Sequence, residues 1–243
     1  MLILAIETSG NISSVALYDG EIISEIKNED NYSHLKELMP MVKELLEEEN
    51  VDKNDIDYIA ISKGPGSFTG LRIGMASAKG LAEVLDKKMI EVSSLAGFAF
   101  RDYEWLDPNE KHLFVPIFDA KMHQIYAAAY EQNNLNSVIA DGVYDPQDFL
   151  SSLERVADKY DDVVFFGDGI NAYYDLLDEF EYSHIFAPKE DVCQTSYGVA
   201  KIAYILAQDE KNLKSCFDSK PEYFRLPEAE RKLKEKENAD KKA

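Results

Sequence analysis

The segment GPGSFTGLRIG, residues 64–74, has the composition of a site where a backbone approaches another group closely. It follows an apolar run at residues 59–61 and leads into a predicted helix at about residues 69–85. Backbone N–H groups and the helix dipole at such a turn can bind phosphate. However, GPGSFTG misses the GxGxxG spacing by one residue, and no Gly-Lys-Ser/Thr follows. The alternative is a tight turn between a strand and a helix.

Small residues continue into that helix, where Gly70, Gly74 and Ala78 lie four positions apart and share one face. A glycine in a helix interior costs about 1 kcal/mol relative to alanine, so a closely packed neighbour should offset the cost. The neighbour is either the sheet or another helix, and periodicity does not distinguish the two. We expect Gly74 to contact a partner helix and to set its distance.

The segment HLKELMPMVKELLEEEN, residues 34–50, predicts an amphipathic helix with Glu and Lys on its polar face. We expect it to lie beside the glycine-rich helix and to form a partner surface with it. In the absence of a partner, that surface should support a homodimer. The predicted contact residues are Leu35, Leu38, Met39, Val42, Leu45, Leu46, Gly70, Gly74 and Ala78.

The stretch AIETSG at the end of the first predicted strand is the other candidate for chemistry. An acidic residue at a strand end can help to hold Mg²⁺, and small residues let the backbone approach phosphate. Glu7, Thr8, Ser9 and Gly10 are therefore the nucleotide-proximal candidates. Local hydrogen bonds from hydroxyls to the backbone explain the same residues without a ligand, and for a chain acting alone we favour that explanation.

Composition narrows the class of protein. The chain has 243 residues, 45% of them hydrophobic, and no run approaches the roughly 18 apolar residues of a membrane span. Its N-terminus lacks the features of a signal peptide, and Cys193 and Cys216 lack CxxC spacing, so we expect a cytoplasmic protein. The net charge of −20 opposes binding to a phosphate backbone. Any role with nucleic acid therefore requires a basic partner.

The elements that must position these residues follow the order βββαβαβ, after which a second hairpin and alternating helices and strands begin. The segment EIISEI follows SSVALY after Asp19-Gly20, a strong hairpin signal. A linker is expected near residues 101–111. We predict an N-terminal lobe at 1–105, a C-terminal lobe at 106–226 that in part packs back on the first, and a charged, disordered tail at 227–243.

Several stretches resemble the TsaB (YeaZ) family: LAIETSGNISSVALYDG, HLKELMPMV, and above all GPGSFTGLRIGMASAKGLAEVLDKKMIEVSSLAGFA. The resemblance continues through IFDAKMHQIYAAAY and GDG to KPEYFRL. It implies an α/β, two-lobed actin-like (ASKHA, ribonuclease-H-like) fold that is related to sugar kinases. In such a fold Asp119 and Asp168 would face the cleft, although a turn alone also explains Gly167-Asp168-Gly169.

The family resemblance also implies a function. It indicates a non-catalytic subunit required for threonylcarbamoyladenosine modification of adenosine 37 in tRNAs that read codons beginning with A. The subunit would heterodimerise with and activate the catalytic paralogue TsaD, together with the ATPase TsaE, and would meet tRNA only through that complex. No membrane and no tightly bound cofactor are expected, whereas ATP or ADP could bind within the partner complex.

The paralogue TsaD carries Asn-His-x-x-Gly-His, whose histidines bind the catalytic metal, where this chain has Ser93-Ser94-Leu95-Ala96-Gly97-Phe98. Serine and phenylalanine cannot replace two imidazole ligands. The histidines of the chain have no i,i+4 pair, and we expect each of them to be a surface or loop residue rather than a ligand, with no metal site. They are His34, His112, His123 and His184.

Two other classes of function remain open at this point. An actin-like ATPase or kinase acting alone would use Glu7, Thr8 and Ser9, but would need clearer acidic and glycine-rich loops in the second lobe. A metallopeptidase is disfavoured by the absent histidine pair. Tight Mg²⁺-dependent ATP binding with turnover by the isolated chain would favour the first of these.

Overall fold

The first half of the chain builds a six-stranded sheet. The structure, a computed structural model, describes residues 1–28 and 34–225. The strands of this sheet are β1 (Ile3–Glu7), β2 (Ser13–Tyr18), β3 (Ile22–Asn28), β4 (Tyr58–Gly64), β5 (Lys88–Ser93) and the late β11 (Leu213–Lys214). Their order across the sheet is β11-β5-β4-β1-β2-β3. The predicted hairpin at Asp19-Gly20 is confirmed, because β2 and β3 pair antiparallel around it.

The second half builds a five-stranded sheet on the same plan. Its strands are β6 (His112–Asp119), β7 (Ile125–Glu131), β8 (Ser137–Tyr144), β9 (Asp162–Phe166) and β10 (His184–Phe186), and the order is β10-β9-β6-β7-β8. In each sheet the leading strand pairs antiparallel with its hairpin partner and parallel with the strand that returns after a helix. The repeated order confirms the predicted two-lobed α/β fold.

Within residues 1–28 and 34–225, six α-helices cover the sheets: α1 (His34–Glu48), α2 (Phe68–Leu85), α3 (Ala96–Ala99), α4 (Pro146–Ala157), α5 (Gly169–Asp178) and α6 (Ser196–Leu206). The predicted α1 and α2 are confirmed, and α2 begins one residue earlier than expected. Helices α1 and α2 share a core with one face of the first sheet. Helix α6, although late in the chain, packs against β1 and β2 in the core between the lobes.

The segment between the lobes, residues 101–111, contains no helix or strand. The predicted tail at 227–243 lies outside the described residues. Among residues 1–28 and 34–225, no helix has both the length and the apolar character needed to cross a bilayer. Neither Cys193 nor Cys216 forms a disulfide.

Candidate functional site

The acidic turn at the end of β1, residues 7–9, is buried. Glu7 has no exposed surface; one carboxyl oxygen accepts a hydrogen bond from the Ser9 N–H, and Oε2 has no hydrogen-bond partner among the described residues. Burial raises the pKa of Glu7, against the opposing effect of the Ser9 N–H and the nearby Ser9 and Ser62 side chains. Burial therefore disfavours the charged form of the carboxyl group, which is the form that binds Mg²⁺.

The glycine-rich helix lies directly on this turn. A Cβ on Gly66 would collide with the Ser9 carbonyl oxygen, one on Gly70 with the Thr8 carbonyl oxygen, and one on Gly74 with the Thr8 hydroxyl. The Thr8 hydroxyl donates a 2.9 Å hydrogen bond to the Gly70 carbonyl oxygen. The glycines therefore allow the α2 backbone to reach the turn.

This packing corrects the prediction that the small-residue stripe contacts a partner helix. Gly70, Gly74 and Ala78 are buried, and the glycines face Thr8 and the sheet within the same chain. Periodicity left open whether the stripe packs on the sheet or on another helix, and in the structure it packs on the sheet. The stripe is not available to a partner, because its space is already filled.

The predicted contact residues of α1 divide between the core and the surface. Leu38 and Leu45 are buried against the first sheet, so their assignment to a partner surface is wrong for the same reason. Val42 is also buried, but it lines the groove between α1 and α2. Met39 is 42% exposed and Leu46 is half-buried. The Leu35 side chain lies outside the part of the chain that the structure describes.

The Gln194 side chain also contacts the acidic turn. The Gln194 side chain donates a 3.0 Å hydrogen bond to the Ser9 hydroxyl, and a Cβ on Gly10 would collide with the Gln194 amide. Ser9 and Gly10 line the cleft between the lobes, whereas Glu7 and Thr8 do not. The turn therefore contacts α2 through Thr8 and Gln194 through Ser9 and Gly10.

The cleft between the lobes has a volume of about 800 Å³ and is lined by both acidic candidates of the second lobe. Asp168 accepts hydrogen bonds from the Asp119 N–H at 3.2 Å and from the Asn11 side chain at 3.3 Å, and burial raises its pKa. Asp119 forms a 2.6 Å ion pair with Lys121. Burial opposes ionisation of Asp119, but its hydrogen bonds with Lys121 outweigh burial and lower the pKa.

A C-terminal strap, residues 219–225, crosses this cleft from one lobe to the other. At the first lobe, the Glu222 N–H donates to the Lys63 carbonyl oxygen at 2.7 Å, and Tyr223 packs on Phe68 with ring centroids 4.9 Å apart. At the second lobe, the Arg225 guanidinium donates to the Ala120 and Lys121 carbonyl oxygens. Sequence reasoning noted KPEYFRL only as part of the family pattern. Its position across the cleft is evident only in three dimensions.

The place of the paralogue's histidine motif is filled by hydrophobic core. Ser94 and Phe98 have no exposed surface, and the Phe98 ring lies 5.2 Å from Phe166 and 5.9 Å from Phe118, centroid to centroid. These residues supply neither imidazole ligands nor space for a metal ion, so the metal site of TsaD does not fit this chain.

An apolar groove of about 710 Å³ lies between α1 and α2 on the outer side of the first lobe. Val84 is 81% exposed there, beside the exposed Met39 and the half-buried Leu46. Leu81 and Leu85 also belong to its apolar lining. The sequence prediction missed Val84, Leu81 and Leu85, because it assigned the small-residue stripe of α2 to the partner surface. We call this surface the α1/α2 groove.

Taken together, the two sheets, which share one strand order apart from β11, and the cleft between them define an actin-like, ribonuclease-H-like fold. A protein-family model described as TsaD, tRNA N6-adenosine threonylcarbamoyltransferase, matches residues 21–239. The TsaB protein of Bacillus subtilis strain 168, named a tRNA threonylcarbamoyladenosine biosynthesis protein, is 32% identical over 96% of this chain and 97% of its own length. TsaB of Escherichia coli K12 is 30% identical over 72% of this chain and 75% of its own length.

The solved structure of YeaZ from Pseudomonas aeruginosa superimposes with a TM-score of 0.73 at 27% identity, and covers 91% of this chain and 99% of its own. Similarity of sequence and of structure thus extends over nearly the whole chain. The chain belongs to the TsaB (YeaZ) family.

Proposed function

We propose that the chain is a non-catalytic subunit required for threonylcarbamoyladenosine modification of tRNA. The observation that carries this proposal is the filled active site: aromatic packing around Phe98 stands where TsaD binds its metal, and α2 and Gln194 close the turn at Ser9. A family member that lacks the metal ligands and an accessible acidic turn contributes by binding its partners. The names of the B. subtilis and E. coli relatives support a role in tRNA threonylcarbamoyladenosine biosynthesis.

The proposed partner is TsaD, with the ATPase TsaE joining the pair and tRNA binding only through the complex, in the cytoplasm. We assign the contact with TsaD to the α1/α2 groove. The groove is apolar and open, and its most prominent side chain, Val84, is 81% exposed. An exposed apolar patch of this kind favours any complementary cover, so the isolated chain should pair with itself through the same surface.

We further propose that ATP or ADP binds within the partner complex and that this chain alone holds no nucleotide tightly. The support is the contact of Gln194 with Ser9 and Gly10 on the cleft side of the turn. Calorimetric titration of the isolated chain with Mg²⁺–ATP should give no saturable heat at micromolar concentrations. Tight binding accompanied by turnover would instead support an ATPase or kinase acting alone.

The direct test of the main proposal is reconstitution with the cognate TsaD and TsaE on unmodified tRNA. Modification should require this chain, and the chain should co-purify with TsaD. Full modification of the tRNA by TsaD and TsaE alone, or modification by this chain without TsaD, would contradict the proposal.

A surface variant tests the assignment to the α1/α2 groove. Val84→Asp should abolish association with TsaD, because a carboxylate cannot be buried in an apolar contact without a large cost. The thermal melt of the isolated chain should stay nearly unchanged, since Val84 is mostly exposed. Leu135→Asp, at a 40% exposed residue in the turn between β7 and β8, is the matched control and should bind normally. Equal binding by both variants would contradict the assignment.

A further inference from the structure

Three potential metal ligands lie together at the N-terminal ends of two neighbouring strands of the second sheet, away from the interlobe cleft. One ligand atom from each of Glu110, His112 and Asp162 lies within 4.8 Å of the other two. His112 begins β6 and Asp162 begins β9, and the two residues are paired partners in the parallel register of these strands. The sequence prediction placed His112 on the surface or in a loop. That prediction is wrong, because the residue is buried in a strand.

The His112 ring is oriented so that one nitrogen faces the Asp162 carboxylate. Its Nε2 lies 3.0 Å from the Asp107 carbonyl oxygen, and a carbonyl oxygen only accepts, so Nε2 carries the hydrogen. Nδ1 has no hydrogen-bond partner among the described residues, and only 2% of the side chain is exposed. Nδ1 lies 4.0 Å from the Asp162 Oδ2, which is too far for a hydrogen bond. With the hydrogen on Nε2, the buried Nδ1 lone pair therefore faces a carboxylate oxygen.

The remaining groups hold this arrangement in place. The Asp162 Oδ1 accepts a 2.5 Å hydrogen bond from the Ser183 hydroxyl, which leaves Oδ2 directed at His112. The Lys111 N–H donates a 2.7 Å hydrogen bond to the Asp161 carboxylate, and the Asp161 N–H donates a 2.9 Å hydrogen bond to the Lys111 carbonyl oxygen. The Lys111 ammonium is engaged elsewhere, with Glu131 at 3.3 Å. The carboxylates beside His112 thus have no ion pair with Lys111.

We propose that His112 Nδ1, Asp162 and Glu110 bind a divalent transition-metal ion such as Zn²⁺. One imidazole nitrogen with two carboxylate oxygens suits borderline ions better than Mg²⁺ or Ca²⁺. Three protein ligands with water in the fourth position give a common tetrahedral arrangement. The hydrogen bond from Nε2 to a backbone carbonyl is the contact that orients a metal-bound histidine.

Closing the site requires only a small movement. Tetrahedral ligands at Zn²⁺ bond lengths stand roughly 3.4 Å apart, compared with up to 4.8 Å here. Glu110 is exposed and can rotate toward His112, while the other two ligands are held by the sheet. The ion would connect the end of the linker at 101–111 to the start of β9. It would therefore fix the end of the linker to the second lobe rather than supply catalysis.

The experiment is a calorimetric titration of the full chain with Zn²⁺, together with thermal melts with and without the ion. We expect one saturable site per chain and a melting temperature that rises with Zn²⁺ concentration. Glu110→Gln and Asp162→Asn should each weaken binding by about tenfold or more and reduce that rise. Glu154→Gln, at an exposed position on α4, is the matched control and should behave as the wild type.

Cobalt substitution separates this site from binding by cysteines. Co²⁺ bound here should show tetrahedral d–d absorption without a thiolate charge-transfer band, because no cysteine belongs to the ligand set. Absence of saturable Zn²⁺ binding, binding that survives both variants, or a thiolate band would each overturn the proposal. Glu110 is exposed, so its variant should fold and keep the test decisive.

Discussion

At the scale of single residues, the buried Glu7 carboxyl makes stability depend on pH. Burial holds its pKa above the ordinary value of 4.5, so the folded chain keeps a proton that the unfolded chain releases. The stabilising contribution is complete below the unfolded pKa and is lost as pH rises through the folded pKa. The contribution of Glu7 to the unfolding free energy of the wild type should therefore decline over that pH range.

Glu7→Gln should remove this decline, because an amide does not titrate. Its oxygen can accept from the Ser9 N–H, and its NH₂ group can donate to the Ser62 hydroxyl oxygen, which has no partner among the described residues. The variant should melt at a higher temperature than wild type at pH 7, and the difference should shrink toward pH 4. Glu44→Gln, at an exposed residue of α1, is the control and should show no such trend. A constant difference at all pH values would contradict the prediction.

Two glycines of α2 should respond in opposite directions to the same substitution. A Cβ at Gly74 would collide with the Thr8 hydroxyl and press on Ile61, so Gly74→Ala should lower the unfolding free energy by about 1–3 kcal/mol. A Cβ at Gly80 meets no atom of the described chain within 4 Å. Gly80→Ala should therefore raise the unfolding free energy by up to about 1 kcal/mol through helix propensity. Urea unfolding of the two variants measures both, and equal effects would contradict the packing of α2 on the acidic turn.

At the scale of elements, the C-terminal strap holds the turn between β6 and β7. Lys121, Met122 and His123 all have positive φ values, between 56° and 62°, which non-glycine residues adopt at a cost. The Arg225 guanidinium reaches the carbonyl oxygens of Ala120 and Lys121. The strap therefore stabilises a turn that is locally unfavourable and that forms one wall of the cleft.

Arg225→Ala should release this turn while leaving both sheets intact. Amide hydrogen exchange of a peptide covering residues 118–126 should become faster, whereas exchange in α4 should stay unchanged. Arg155→Ala, at an exposed residue of α4, is the matched control and should leave the turn protected. Unchanged exchange at residues 118–126 in Arg225→Ala would show that the strap does not hold the turn.

The same elements show how far the sequence predicts the structure. Helices α1 and α2 were predictable because an apolar face recurs along each of them. Periodicity defines a face but not its neighbour, so it could not show that Gly70 and Gly74 meet Thr8. Strand β8 was not predicted, since SVIADGVY is only partly buried and contains a glycine; α3, α5 and β10 were missed as well. The proposed metal ligands His112 and Asp162 are 50 positions apart and become neighbours only through strand pairing.

At the scale of the whole molecule, an actin-like architecture is retained while its candidate groups are engaged within the chain. Helix α2 and Gln194 contact the acidic turn, the strap spans the cleft, and aromatic packing fills the place of the paralogue's metal ligands. The α1/α2 groove lies exposed on the outside of the first lobe. It is the surface to which we assign the proposed partner contact.

The net charge supplies the last prediction. A chain of charge −20 repels a phosphate backbone, because non-specific affinity for nucleic acid comes mainly from Lys and Arg that displace counterions. Arg72, the basic side chain of the segment at 64–74, lies 4.0 Å over the Phe68 ring and donates to the Tyr223 hydroxyl at 3.1 Å. It is therefore already engaged within the chain.

The isolated chain should show no micromolar or tighter binding to tRNA at physiological salt, measured by fluorescence anisotropy with labelled tRNA. Addition of cognate TsaD should produce binding that weakens as salt is raised, because the partner then supplies the cationic contacts. Val84→Asp provides the matched control: if the chain reaches tRNA only through TsaD, this variant should be absent from the tRNA-bound complex while TsaD remains bound. Micromolar binding by the chain alone would contradict the prediction.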